Sequence, residues 1–154
     1  MIRLEQILTP GRCVNNAPGG SKRKVLEFAA SLLGKDSPEL DENTILDSLN
    51  ARERLGSTGF GNGIAIPHCR LPGCTAPLGA LLQLDSPVDF DAIDGNFVDL
   101  IFVLLVPETA TDEHLELLRQ IATVLEQDSL RQKLRQASDG TELCQIFLQQ
   151  QAPR

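Results

Sequence analysis

One stretch constrains the fold more than any other: Val98 to Val106, reading VDLIFVLLV. It is rich in Val, Ile and Leu and almost unbroken in its apolar character. Strand side chains alternate between two faces, so a strand that is apolar at odd and even positions alike buries both of them. The run is far short of the roughly 20 residues that a bilayer-spanning helix needs. It therefore reads as the central strand of a sheet covered on each side. Leu78 to Leu84 and the short Ile64-Ala65-Ile66 are further strands, and Asp94-Gly95 is a turn signal between Phe90 and Phe97.

The covering layers lie before and after. Ser21 is suited to cap a helix from about Lys22 to Leu33, with Val25, Leu26, Ala29, Leu32 and Leu33 at helical spacing and Gly34 as the stop. Asp41 or Asn43 caps a second helix to about Ala51. Thr111 or Asp112 starts a third to about Gln127, with Leu115, Leu118, Ile121, Ala122 and Leu125 facing inward. A short helix follows from Ser129 to about Gln136, and a last one begins near the Ser138–Thr141 group. Residues 11–21 read as loop, because Gly, Pro and Asn cluster there. Helices flanking a run of strands predict an α/β or α+β arrangement of layers, and 154 residues suit one domain over 1–154.

Composition excludes several function classes. There is no Trp or Tyr and there are only six Phe, so the core must be aliphatic and base-stacking platforms are lacking. A formal net charge of -7 repels a phosphate backbone, which argues against nucleic acid as a partner. The one dense basic cluster, Lys22-Arg23-Lys24, reads as a solvated helix face. The opening MIRLEQILTP lacks a signal-peptide apolar stretch, so a cytoplasmic location without membrane insertion is expected. Cys13, Cys69, Cys74 and Cys144 show no CxxC spacing and read as free thiols. A zinc site from His68, Cys69, Cys74 and His114 is disfavoured, since structural ligands are usually separated by two to four residues and His68 and Cys69 are adjacent.

With two histidines, few sites are possible. His68 follows GSTGFGNGIAIP, and Gly56, Gly59, Gly61 and Gly63 precede it closely. Glycines permit turns that gather backbone N–H groups around an anion, although a tight hairpin explains them equally well. The pattern is neither a P-loop nor a dinucleotide fingerprint. At neutral pH an imidazole is often the free base, and one nitrogen can attack phosphorus if the other is held by a hydrogen bond. His114 lies near a helix start, where anions are favoured. Arg52 would supply a fork of donors to equatorial phosphoryl oxygens.

The run from Arg52 to His68, RERLGSTGFGNGIAIPH, resembles the phosphorylation-site signature of phosphotransferase-system IIA domains of the fructose/mannitol class. ILTP near the start, FDAIDG, VDLIFVLLVP and the EHLELL helix resemble that class in order and spacing, so the likeness spans nearly the whole chain. Within the class the sequence is most similar to nitrogen-regulatory members. The resemblance implies a mixed sheet with helices on both faces. It implies a phosphohistidine at His68, formed from an HPr-type phosphocarrier donor, with His114 beside it and Arg52 stabilising the transferred group. Ser57, Thr58 and Gly59 are the implied phosphate-binding positions. No nucleotide site is visible in the sequence and such a transfer needs no metal, so no cofactor is expected. Regulated proteins such as kinases or potassium transporters are implied as partners. The end at QAPR, without linker or further module, is read as favouring a free-standing regulatory protein. Cys69 stands where relatives often carry Gly.

A donor must reach His68, so a shallow site with an apolar rim is expected, with Leu55, Phe60, Ile64 and Leu71 as rim candidates. Two alternatives remain open. A sugar-specific IIA would hand its phosphoryl group to a IIB domain, and a non-catalytic binding module would keep the fold and act by contact alone.

Overall fold

The computed structural model describes residues 2–149; the C-terminal QAPR lies outside the described residues. In chain order the elements are β1 (Cys13–Ala17), α1 (Lys22–Asp36), α2 (Glu42–Leu55), β2 (Gly59–Gly61), β3 (Ile64–Ala65), β4 (His68–Leu71), β5 (Leu78–Val88), β6 (Val98–Pro107), α3 (Asp112–Leu125), α4 (Asp128–Arg135) and α5 (Gly140–Gln149). Single 3-10 turns at Leu4–Gln6 and Pro10–Arg12 precede β1.

The predicted central strand is the axis of a six-stranded mixed sheet. β5 lies antiparallel along one side of β6, and β1 continues the sheet parallel to β5. On the other side β3 and then β4 run parallel to β6, with β2 antiparallel to β3. Helices cover both faces, as the resemblance implied. Ile101, Val103 and Leu105 face the core made with α1 and α2. Leu100, Phe102, Leu104 and Val106 face the core made with α3, α4 and α5. The unbroken apolar run of β6 is thus explained by two cores. A bulge sits at its start, where the N–H groups of Asp99 and Leu100 both donate to the Gly63 carbonyl, at 3.0 and 3.1 Å.

Several expectations are corrected. Residues 11–21 are not all loop: Cys13–Ala17 pair with β5 as an edge strand. Asn16 there adopts φ 51°, and its N–H donates to Gln83 Oε1 at 2.9 Å. Gly34 does not stop α1, which runs on to Asp36. Instead it admits the start of α2, because a side chain at 34 would come 3.1 Å from Glu42 Cβ. α2 runs past Ala51 to Leu55, so Arg52 is part of its last turn. Leu115 does not face inward but is 56% exposed; Leu117 takes its place in the core.

Among the basic residues, Lys22 is no solvated charge. Its Nζ lies 2.7 Å from Glu53 Oε1 and 5.1 Å from the Phe90 ring centroid. Arg12 is buried and ties the N-terminal segment down, donating to the carbonyls of Gly79 and Ile7, each at 2.8 Å, and to Asp36 at 2.6 Å. All four cysteines are free and buried. Among the described residues no helix is long and apolar enough to cross a membrane.

Candidate functional site

Proline has no N–H to give a ladder, so Pro67 separates β3 from β4 along the same edge of β6. Its carbonyl still accepts from Leu104 N at 2.9 Å, which locks the entry to β4. His68 is the first residue of β4 and pairs with Leu104. Alternation then sends Cys69 and Leu71 into the α1/α2 core and leaves His68 and Arg70 on the opposite face.

The half-buried His68 ring makes a hydrogen bond from Nδ1 to the link between β3 and β4: the partner is the Ile66 carbonyl at 2.7 Å. A carbonyl only accepts, so Nδ1 carries the proton and Nε2 holds the free lone pair. Burial, the strongest influence, pulls the imidazole below its ordinary pKa. The Ile66 carbonyl works against this, Arg52 lowers it further and Glu53 raises it. At neutral pH the ring is therefore uncharged and Nε2 is nucleophilic.

His114 has the complementary tautomer. It occupies the third position of α3, and the backbone N–H of Thr111 donates to its Nδ1 at 3.0 Å. Its Nε2 therefore carries the proton of the neutral ring and is a donor. Arg52 spends one donor, Nη1, on the Gly56 carbonyl at 3.0 Å, and the rest of its fork remains.

These three residues meet in one cleft, which has two lobes. The larger, about 310 Å³, is bordered by Arg52, His68, Arg70, His114, Leu115 and Leu118 among others. The second, about 250 Å³, is bordered by Arg52, Ser57, Thr58, Phe60, His68 and Leu118 among others. Arg52, His68 and Leu118 belong to both.

Ser57, Thr58 and Gly59 border the second lobe with their polar groups engaged. Ser57 Oγ donates to the Phe90 carbonyl and accepts the Gly59 N–H at 2.9 Å. Both the hydroxyl and the N–H of Thr58 donate to the Glu53 carboxylate, the N–H at 3.2 Å. Of the proposed rim, Leu55 and Phe60 are exposed, whereas Ile64 and Leu71 are fully buried, because their strands turn them into the two cores. Leu115 and Leu118 supply apolar rim in their place.

Arg70 and Glu53 were missed by sequence reasoning. Arg70 carried a signal, since two residues after His68 on a strand is the same face. Glu53 carried none: Thr58 lies only five residues on, but the lysine that compensates the carboxylate, Lys22, is 31 positions away. Cys69, beside His68, has its thiol pushed up to about 12 by burial, so it stays protonated.

The family described as "Phosphoenolpyruvate-dependent sugar phosphotransferase system, EIIA 2" matches residues 6–150. The chain belongs to this family. It is 64% identical over 148 residues to a nitrogen regulatory protein of Pseudomonas aeruginosa, covering 96% of each chain. It is 42% identical over 128 residues to the nitrogen regulatory protein of Escherichia coli, covering 82% of this chain and 78% of the relative. The crystal structure of nitrogen regulatory protein IIA-Ntr from Neisseria meningitidis superposes with a TM-score of 0.84 at 42% identity, over 92% of this chain and 97% of that one. IIA mannitol from Escherichia coli shares the fold, with a TM-score of 0.75 at 17% identity over 91% and 98% of the two chains. The family and the nitrogen-regulatory likeness thus agree with the reading of RERLGSTGFGNGIAIPH.

Proposed function

We propose that this chain is a cytoplasmic phosphocarrier of a nitrogen-related phosphotransferase system. It accepts a phosphoryl group from an HPr-type phosphohistidine carrier and regulates partner proteins according to its phosphorylation state. One observation carries the reading: His68 Nδ1 is bound to the Ile66 carbonyl, which leaves the Nε2 lone pair in a cleft shared with Arg52 and His114.

In the proposed step, the Nε2 lone pair of His68 attacks phosphorus in line. The P–N bond of the donor breaks, and its electron pair returns to the donor imidazole. The proton on His68 Nδ1 stays in its hydrogen bond, where the Ile66 carbonyl dipole meets the positive charge that grows on the ring. Arg52 and the Nε2–H of His114 hold the equatorial oxygens. Such a transfer asks for positioning and charge stabilisation rather than covalent help. Exposed Leu55, Phe60 and Leu115 suit a small apolar docking rim for the donor. Phosphorylation adds close to two negative charges at one point, which a partner can read. Kinases and potassium transporters are partner classes suggested by family analogy. The 64% identity to a nitrogen regulatory protein, against 28% to a fructose-specific EIIABC component, favours regulation over sugar transport.

The test is intact-protein mass spectrometry after incubation with phosphoenolpyruvate, enzyme I and an HPr-type carrier. A single acid-labile phosphoryl gain, absent from His68→Ala, is expected. No gain from a donor mixture proven active on another acceptor overturns the reading. Efficient onward transfer to a IIB domain would instead establish the sugar-transport alternative.

A further inference from the structure

Glu53 is a carboxylate whose side chain is only 6% exposed, one residue from Arg52. It binds three groups: Lys22 Nζ at 2.7 Å, the Thr58 N–H at 3.2 Å and the Thr58 hydroxyl. These belong to the first turn of α1 and to the glycine-rich segment, while Glu53 itself lies in the last turn of α2. The Thr58 carbonyl accepts from the Ile66 N–H at 3.1 Å. The Ile66 carbonyl is in turn the partner of His68 Nδ1 at 2.7 Å. An unbroken chain of contacts thus runs Lys22–Glu53–Thr58–Ile66–His68.

We propose that Glu53 is a positioning residue for the phosphoryl acceptor, setting the Nδ1 partner of His68 through Thr58 and Ile66 and the guanidinium of Arg52 through the last turn of α2. The proposal rests on the phosphocarrier reading. Two features set the device apart from a surface ion pair. Every link from Glu53 to His68 passes through backbone or a half-buried side chain, so none can be replaced by a drifting water-exposed chain end. Its two outputs, an acceptor nitrogen and a cation for the transferred oxygens, must also keep a fixed separation for in-line transfer. A displacement of order 1 Å in such an arrangement costs up to about 100-fold in rate. Lys22 is needed to keep the buried carboxylate compensated, and the Phe90 ring and Asp91, 5.1 and 4.0 Å from its Nζ, hold it over Glu53.

The test compares wild type with Glu53→Gln, which keeps the volume, and with Lys22→Met. Rapid-quench phosphotransfer from an HPr-type donor gives kcat and KM, and nitrogen NMR of His68 gives its tautomer directly. Glu53→Gln is expected to lower kcat about 10- to 100-fold, leave KM for the donor unchanged and spread His68 over both tautomers. Groups facing this network that also titrate or carry charge are Lys22, Asp91, Arg52, Arg70 and His114, so tautomers are compared across a pH series. Should Glu53→Gln fail to fold, Lys22→Met tests the same link from the other end. Wild-type kcat with a wild-type tautomer in a folded variant overturns the proposal, and so does a raised KM with unchanged kcat, which would make Glu53 a docking residue. If the wild type itself takes up no phosphoryl group, the phosphocarrier reading fails while the tautomer measurement still decides the role of Glu53.

Discussion

Gly59→Ala is a small change with a calculable consequence. Gly59 opens β2 on the border of the second lobe and is buried. A Cβ at this position would lie 2.8 Å from Ala92 Cα, 2.9 Å from Ala92 Cβ and 3.0 Å from Ser57 Oγ. Carbon pairs prefer about 3.5–4.0 Å, so something must move by about 0.7 Å or more. The obstacle is the backbone of the loop between β5 and β6, which is fastened on both sides of Ala92. Ser57 Oγ holds the Phe90 carbonyl, and the Asn62 N–H holds Asp94 Oδ2 at 3.0 Å. Overpacking of this kind costs about 1–3 kcal/mol, and two fastenings place the cost at about 2–3 kcal/mol. For a domain of this size each kcal/mol lowers Tm by about 2–4 °C, so a fall of about 4–12 °C is expected by circular dichroism. The double variant Gly59→Ala/Ala92→Gly removes the 2.9 Å contact but not the 2.8 Å contact with Cα. It should therefore recover less than half of the loss. A Gly59→Ala protein melting within about 1 °C of wild type, or full recovery in the double variant, would refute the steric argument.

Arg52→Lys keeps the charge but loses the fork, and one donor of the fork is already used on Gly56. Loss of one charged hydrogen bond, about 1.5–3 kcal/mol, predicts about 10- to 100-fold slower single-turnover phosphotransfer; a wild-type rate would remove Arg52 from the transfer step. The pH dependence follows from the lowered pKa of His68. Below neutrality the unfolded chain binds the proton first, so the stability contributed by the neutral folded ring is complete above the ordinary value of 6.5 and is lost as pH falls from there through the folded pKa. Phosphoryl acceptance should accordingly hold down to pH 6.5 and fall only at lower pH, and a rate midpoint above 6.5, with His68 followed by NMR in parallel, would contradict it. Arg12→Met leaves two buried carbonyls and Asp36 without their donor; with Asp36 a third exposed, the loss should be about 2–4 kcal/mol in a denaturant titration. An unchanged midpoint would show that the N-terminal segment is held by its apolar contacts alone.

What was legible in the sequence was what short-range chemistry decides. The caps at Ser21 and Asp41 accept from Lys24 N and Thr44 N, at 3.1 and 3.0 Å, at the boundaries that their side chains announce. Val98–Pro107 declared itself by an apolar run that only two covering layers satisfy. Arg52, His68 and His114 do border one cleft, but the seventeen-residue signature brought them to notice, since a lone His or Arg carries little functional signal by itself. What stayed hidden depends on partners far along the chain. The CVNNA strand has no β signal of its own and exists because β5 offers an edge. In α3, both Leu115 and Leu117 fit an apolar helix face, and only the placement of β6 decides that Leu117 is buried and Leu115 exposed. Lys22 looked solvated because Glu53 and Phe90 are 31 and 68 positions away.

The arrangement of helices around His68 has an electrostatic logic of its own. α2 presents its C-terminal end at the cleft and α3 its N-terminal end. The partial negative charge of a helix C-terminus favours a cation, and Arg52 occupies that place, bound to the Gly56 carbonyl at 3.0 Å. The partial positive charge of a helix N-terminus favours an anion, and there His114 is held with Nδ1 on a backbone N–H, so that its own N–H is free to donate. The α2 end is thus matched to the cation beside it before any ligand arrives, and the α3 end adds the donor of a neutral ring to a pole that favours an anion. On the proposed reading, a phosphoryl group entering between them meets donors that need no reorganisation. The same fixed donors face the group whether it arrives from the donor or leaves for it, which suits a carrier whose output is the balance between two states.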